Sequence, residues 1–169
     1  MDFSTLYRAY ARDVHRFALF LSGDAALADD IVSETFMRMW NARARVELTT
    51  VKAYLFAVAR NLFLQHRRQA KRTTSLDEQV VDSGPGPHEQ ADARDELRAV
   101  LEALQALPEV DRSALLMRID AAMPYEEIAR TLGISESAAK VKVHRSRLKL
   151  TAARRPPLPI NRTQTKAEP

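Results

Sequence analysis

The stretch Pro124–Leu150, PYEEIARTLGISESAAKVKVHRSRLKL, limits the possible folds more than any other part of the chain. From Tyr125 to Leu132 the apolar residues Ile128, Ala129 and Leu132 recur on one side of a helix. Gly133 stands where a helix C-cap wants positive φ. Ser135 offers an N-cap oxygen for a second helix, and Glu136 puts negative charge at that helix's positive end. Two helices around a glycine-containing turn make a helix-turn-helix.

The second helix has two unlike sides. At about 100° per residue, Ala139, Val143, Ser146 and Leu150 share a face suited to packing. Ser137, Ala138, Val141 and Arg145 point the other way, flanked by Lys140, Lys142, His144 and Lys149, with no acid after Glu136. A helix lying in the DNA major groove needs small or contact-making residues toward the bases and cations toward phosphates. The bland alternative is a solvated basic face.

Composition narrows the function classes. A formal net charge of +4 and a pI of about 9.6 permit a nucleic-acid partner. With no cysteine, disulfides, thiolate metal sites and cysteine catalysis are excluded. His15, His66, His88 and His144 have no metal-ligand spacing, and no glycine-rich phosphate loop occurs, so neither an enzyme nor a metal or cofactor is expected. No apolar run is long enough to span a bilayer and no signal peptide follows Met1, so a cytoplasmic chain without membrane insertion is expected.

The rest of the chain reads as helix, interrupted twice. Asp2 or Ser4 can cap a first helix whose apolar positions run from Phe3 to Leu21, ending at Ser22-Gly23. Asp24 caps a second, to about Asn41, with Ala28, Ile31, Val32, Thr35, Phe36 and Met39 inward. Asp30, Ser33, Glu34, Met37 and Asn41 fall outward, either as a solvated face or as a docking surface for a basic partner. Asn41–Thr50 breaks the pattern as a loop. A third helix from Val51 carries the stripe Val51, Tyr54, Leu55, Val58, Leu62. Opposite it lie Phe56, Arg60, Phe63 and Arg67. Such aromatics can stack on unpaired bases between phosphate contacts, or fill a core. Arg60, Arg67, Arg68, Lys71 and Arg72 follow with no intervening acid.

Thr73–Gln90, with acids and a Gly-Pro cluster, reads as a flexible linker. A fourth helix then carries Leu97, Val100, Leu101, Leu104 and Leu107. Pro108 suits the first position of a fifth, whose apolar side is Val110, Ala114, Leu115 and Ile119. Beyond Leu150 there are prolines and no periodicity, as in a disordered tail. The expected fold is all-α: a helical domain over 1–72, an acidic linker over 73–90, a helix-turn-helix domain over 91–152 and a tail over 153–169.

These motifs together resemble the extracytoplasmic-function (ECF) sigma factors of the sigma-70 family, bacterial RNA polymerase subunits that select promoters. Asp29–Trp40 resembles the family's polymerase-docking helix and Ala53–Leu62 its helix for the −10 element. Leu107-Pro108-Glu109, Tyr125–Ala129 and Leu132-Gly133-Ile134 resemble its −35-binding domain. The resemblance implies that Asp30, Ser33, Glu34 and Met37 dock on the clamp helices of the largest subunit of core RNA polymerase. It implies that Tyr54, Phe56, Arg60, Asn61, Arg67 and Arg68 take the −10 element. It implies that Lys140, Val141, Lys142, His144 and Arg145 read the −35 element of promoter DNA. An anti-sigma factor is the further implied partner.

This chain departs from the family pattern in four places. Ser33 stands for a glutamine, Pro124 for a capping serine, Ala138-Ala139 for Thr-Val, and Val141-Lys142 for Ser-Arg. Val141 can meet a thymine methyl but cannot hydrogen-bond a base. Two alternatives stand beside this reading: a sigma-like mimic that titrates an anti-sigma factor, and a stand-alone helix-turn-helix regulator.

Overall fold

The computed structural model describes residues 2–42, 51–73 and 89–153, and among them the chain is entirely helices and short turns. The helices are α1 (Phe3–Ser22), α2 (Ala25–Ala42), α3 (Val51–Thr73), α4 (Glu89–Gln105), α5 (Glu109–Ile119), α6 (Tyr125–Leu132) and α7 (Glu136–Ala153).

Local chemistry sets the boundaries. The Asp2 carboxylate accepts from the Thr5 N–H at 2.9 Å and caps α1. Asp24 accepts from the Leu27 N–H at 3.0 Å, and Ser135 Oγ accepts from the Ala138 N–H at 3.1 Å, doing the same for α2 and α7. Gly23 (φ 72°) and Gly133 (φ 66°) end α1 and α6 in the left-handed conformation expected of a glycine cap. Pro108 sits one residue earlier than the sequence pattern suggests. With ψ at 145° it is the N-cap of α5, and its carbonyl accepts from the Arg112 N–H.

Helices α1–α3 make one bundle and α4–α7 a second, as the all-α reading with two bundles expects. The bundles also pack on each other: α1 meets α4 and α5, and α3 meets α6. A single buried apolar cluster runs from Leu6, Phe17 and Phe36 through Leu55 and Phe63 to Leu115, Met117, Ile128 and Val143.

Three further sequence expectations change. Thr73 ends α3, and Glu89 and Gln90 begin α4, so the linker is shorter at both ends than expected; residues 74–88 lie outside the described residues. Asn41 and Ala42 are helical, while residues 43–50 of the expected loop and residues 154–169 of the expected tail also lie outside them. The apolar stripe of α4 is only partly used. Leu104 is buried, but Leu97 and Val100 stay 42% and 41% exposed. Val100 lines a groove of about 660 Å³ with Ile119 and the end of α7.

Candidate nucleic-acid interface

The helix-turn-helix is held from behind. Ala139, Val143 and Ser146 of α7 are buried, as the pattern requires, and pack over α5 and α6. The exposed side presents Lys140, Val141 (46% exposed), His144 and Arg145 along nearly two turns. Lys140 pairs with Glu136 at 2.7 Å, while His144 and Arg145 have no side-chain partner among the described residues. This face is convex, cationic and open, so it can enter a groove and meet phosphates at its flanks.

Lys142 is the exception. Its Nζ donates to Asp111 Oδ1 at 2.8 Å, so it turns inward to tie α7 to α5 instead of facing a base. Asp111 is buried, and a buried carboxylate needs such a partner. Arg118 supports the turn before α6: Nη1 donates to the Met123 carbonyl at 3.0 Å and the guanidinium lies 4.6 Å from the Tyr125 ring centroid.

Helix α3 divides its predicted residues. Phe56 is wholly buried with its ring 4.7 Å from that of Phe17, so it has no face for a base. The reason is that α3 is covered on both sides, by α1 and α2 and by the second bundle, and the core reading of Phe56 and Phe63 wins. Tyr54 is half-buried against the core. Asn61, Arg67 and Arg68 are exposed, and they are followed by exposed Lys71 and Arg72. Arg60 is already engaged. Its Nε donates to Glu109 Oε1 at 2.6 Å and its Nη2 to Oε2 at 2.8 Å. Ser113 Oγ donates to the same carboxylate at 2.7 Å. Burial pushes the Glu109 carboxyl up, but the hydrogen bonds from Arg60 and Ser113 and the charges of Arg60 and Arg67 hold it below the usual range. Burial lowers the Arg112 guanidinium against the attraction of Glu109, and the like charge of Arg67 lowers it further.

On α2, Asp30, Ser33 and Met37 are exposed on one side, Met37 at 65%. Ser33 Oγ donates to the Asp29 carbonyl, and Glu34 is paired with Arg38 one turn on. The outward side is therefore acidic with a methionine at its centre, a pairing suited to a partner that is cationic and partly apolar.

The model of Sigma-70 region 2 matches residues 6–73, and that of Sigma-70, region 4 matches residues 97–150. The chain is 32% identical over 154 residues to the ECF RNA polymerase sigma factor SigM of Bacillus subtilis, covering 90% of this chain and 94% of that one. The chain belongs to the sigma-70 family. This ECF sigma factor is also 33% identical to the ECF RNA polymerase sigma factor SigL of Mycobacterium tuberculosis, over 82% of this chain and 81% of that one. Its fold matches that of the sigma factor RpoE of Bartonella quintana, solved in complex with the anti-sigma factor NepR. The TM-score is 0.76 at 26% identity, covering 90% of this chain and 96% of that one. CnrH, solved with the cytosolic domain of CnrY, has the same fold at a TM-score of 0.68 and 23% identity, covering 89% of this chain and 85% of that one. As an ECF sigma factor the protein is a transcription initiation factor: it binds core RNA polymerase and directs it to promoters.

Two residues of this sigma factor escape a sequence reading. Glu109 and Arg112 are one turn apart on α5, yet their main partners stand on α3 and α4. Periodicity identifies a helix face but not what covers it; the faint signal was a pair of acids, Glu109 and Asp111, in the first turn of α5, in a chain whose α3 is strongly basic.

Proposed function

We propose that the sigma factor reads the −35 element with the exposed side of α7, through Lys140, Val141, His144 and Arg145. Lys142 serves instead to anchor that helix. The observation that carries this is the division of α7: Ala139, Val143 and Ser146 are buried on α5 and α6, while Lys140, Val141, His144 and Arg145 are exposed on the other side. The −10 element falls to α3, with Asn61 and Tyr54 toward the bases and Arg60, Arg67 and Arg68 toward the backbone. A phosphate-lined single strand favours such a row of cations. Asp30, Ser33, Glu34 and Met37 of α2 dock on the polymerase clamp helices, an acidic surface against a basic one.

The protein works in the cytoplasm and catalyses no reaction of its own; no described helix is long and apolar enough to cross a membrane. It is held inactive by an anti-sigma factor, a reading supported by its likeness to RpoE, solved with NepR. The test is template-directed transcription with purified core polymerase. Promoter-specific initiation that requires this chain is the expected result. Specific DNA binding without any effect on initiation would favour a stand-alone regulator.

A further inference from the structure

Arg60 is the −10 residue that the second bundle has already taken. It grips Glu109 through two parallel bonds, and the two side chains are only 14% and 10% exposed. A carboxylate in an arginine fork presents two oxygens and one negative charge, the same pattern as a nucleic-acid phosphate. We propose that Glu109 is an intramolecular occupant of a nucleic-acid phosphate site built by Arg60 and Arg67, so that the free sigma factor is closed to −10 DNA until the second bundle lifts away. This rests on the reading of α3 as the −10 face and adds to it the ligand and the group that competes with it.

Three other bridges put the pair within an extended interface. Arg16 Nε lies 2.5 Å from Asp120 Oδ1, joining α1 to the end of α5. Gln105 Nε2, at the end of α4, donates to the Phe20 and Leu21 carbonyls at 3.2 Å each. The Arg112 guanidinium lies 5.8 Å from the Phe63 ring centroid. Opening therefore releases Arg60 and uncovers the flank of α3 together.

The interface is also built to part. Arg112 is 3% exposed, yet its Nε has no hydrogen-bond partner among the described residues, and Arg67 repels it. A buried cation left partly unpaired weakens the surface that contains it. Glu109 offsets this with its own charge. When it withdraws, Arg60 and Arg67 are left needing an anion, which the DNA backbone supplies. One guanidinium fork cannot hold both acceptors at once, so closure and phosphate binding exclude each other.

The native chain has no cysteine, so cysteines introduced at the exposed Arg12 and Lys149 can carry a dye pair that reports opening. Binding of the full chain to mixed-sequence single-stranded DNA is measured beside it, because phosphate contact needs no particular sequence. If the open form is a minor species of roughly 0.1–10%, releasing it raises the apparent affinity about tenfold or more. Glu109→Gln is expected to lower energy transfer and produce that gain. Adding Arg16→Cys and Asp120→Cys bridged by a bis-maleimide is expected to cancel it. An unchanged affinity in Glu109→Gln, or a bridged chain that binds as well as the unbridged one, overturns the proposal. If Glu109→Gln does not fold, Ser113→Ala, which removes one partner of the carboxylate, is expected to give a smaller gain, and the bridged chain with Glu109 intact to bind less than the unbridged; absence of both effects overturns it. Arg67→Ala added to Glu109→Gln separates the two readings. A gain that survives it undiminished removes α3 as the DNA face, and the proposal with it. No gain from Glu109→Gln, while Arg67→Ala holoenzyme loses transcription, leaves α3 in place and removes only the closure.

Discussion

Lys142 Nζ lies 2.8 Å from Asp111 Oδ1, so α7 is fastened to α5 by a cation taken from its own basic series. Ser146 lies alongside, its Oγ donating to the Asp111 carbonyl at 3.4 Å. Lys142→Ala leaves a buried carboxylate without its charge partner, and a loss of about 1–2 kcal/mol is expected. For a chain of this size that is a fall in Tm of roughly 2–8 °C. The salt dependence of promoter binding is expected to stay as in the wild type, whereas loss of a phosphate contact reduces its slope by about one. A reduced slope with an unchanged Tm would return Lys142 to the DNA face.

Arg145 makes the contrasting case. It is exposed on the side of α7 away from Ala139 and Val143. Arg145→Ala is expected to keep the wild-type Tm and to weaken −35 recognition by about 1–3 kcal/mol, if its guanidinium meets a guanine. Holoenzyme affinity for promoters altered base by base in the −35 element measures it. Unchanged discrimination at every position would remove Arg145 from the interface.

Asp30→Lys with Glu34→Lys is expected to abolish association with core polymerase while the helical circular dichroism persists. Both side chains lie on the outward face of α2, and among the described residues the only ion pair lost is the exposed one between Glu34 and Arg38, which stabilises by no more than about 0.5 kcal/mol. Gel filtration of the double variant with core enzyme checks it. Assembly at wild-type affinity would mean that these acids are merely solvated.

Acid should loosen the contact between the bundles. Glu109 faces Arg60 and Arg67 from α3 and Ser113 and Arg112 from its own helix. Its carboxyl lies below the usual range in the closed chain, so its contribution is complete above the ordinary glutamate value of about 4.3 and is lost as pH falls through the depressed one. Wild type is expected to exceed Glu109→Gln in stability by a constant amount near neutrality, with the difference shrinking in acid. Urea unfolding across a pH series measures this. A difference that widens on acidification would show that the arginines do not hold the carboxylate ionised.

Much of the architecture was legible because it is local. The caps at Asp2, Asp24 and Ser135 and the glycine ends at Gly23 and Gly133 each depend on residues within one turn. The buried face of α7 followed from a period of 3.6 alone. What stayed hidden depends on partners distant in sequence. Phe56 has the same spacing whether it meets a base or Phe17. Arg60 finds Glu109 across 49 residues, and Lys142 finds Asp111 across 31. A stripe of cations gives their side of the helix but not which of them a neighbouring carboxylate has claimed.

The apolar cluster that passes without a break from Leu6 to Val143 joins the fates of the two bundles. While the bundles are closed on each other, a core shared in this way makes them melt together instead of in two steps. A cavity opened at Phe17 therefore also lowers the standing of Met117 and Ile128, residues it does not accompany in sequence. In a cell, where chaperones and proteases sample the unfolded fraction, the amount of working factor follows the stability of the whole. Variation in the second bundle is thus filtered by the stability of the first, even at positions that touch nothing outside the chain.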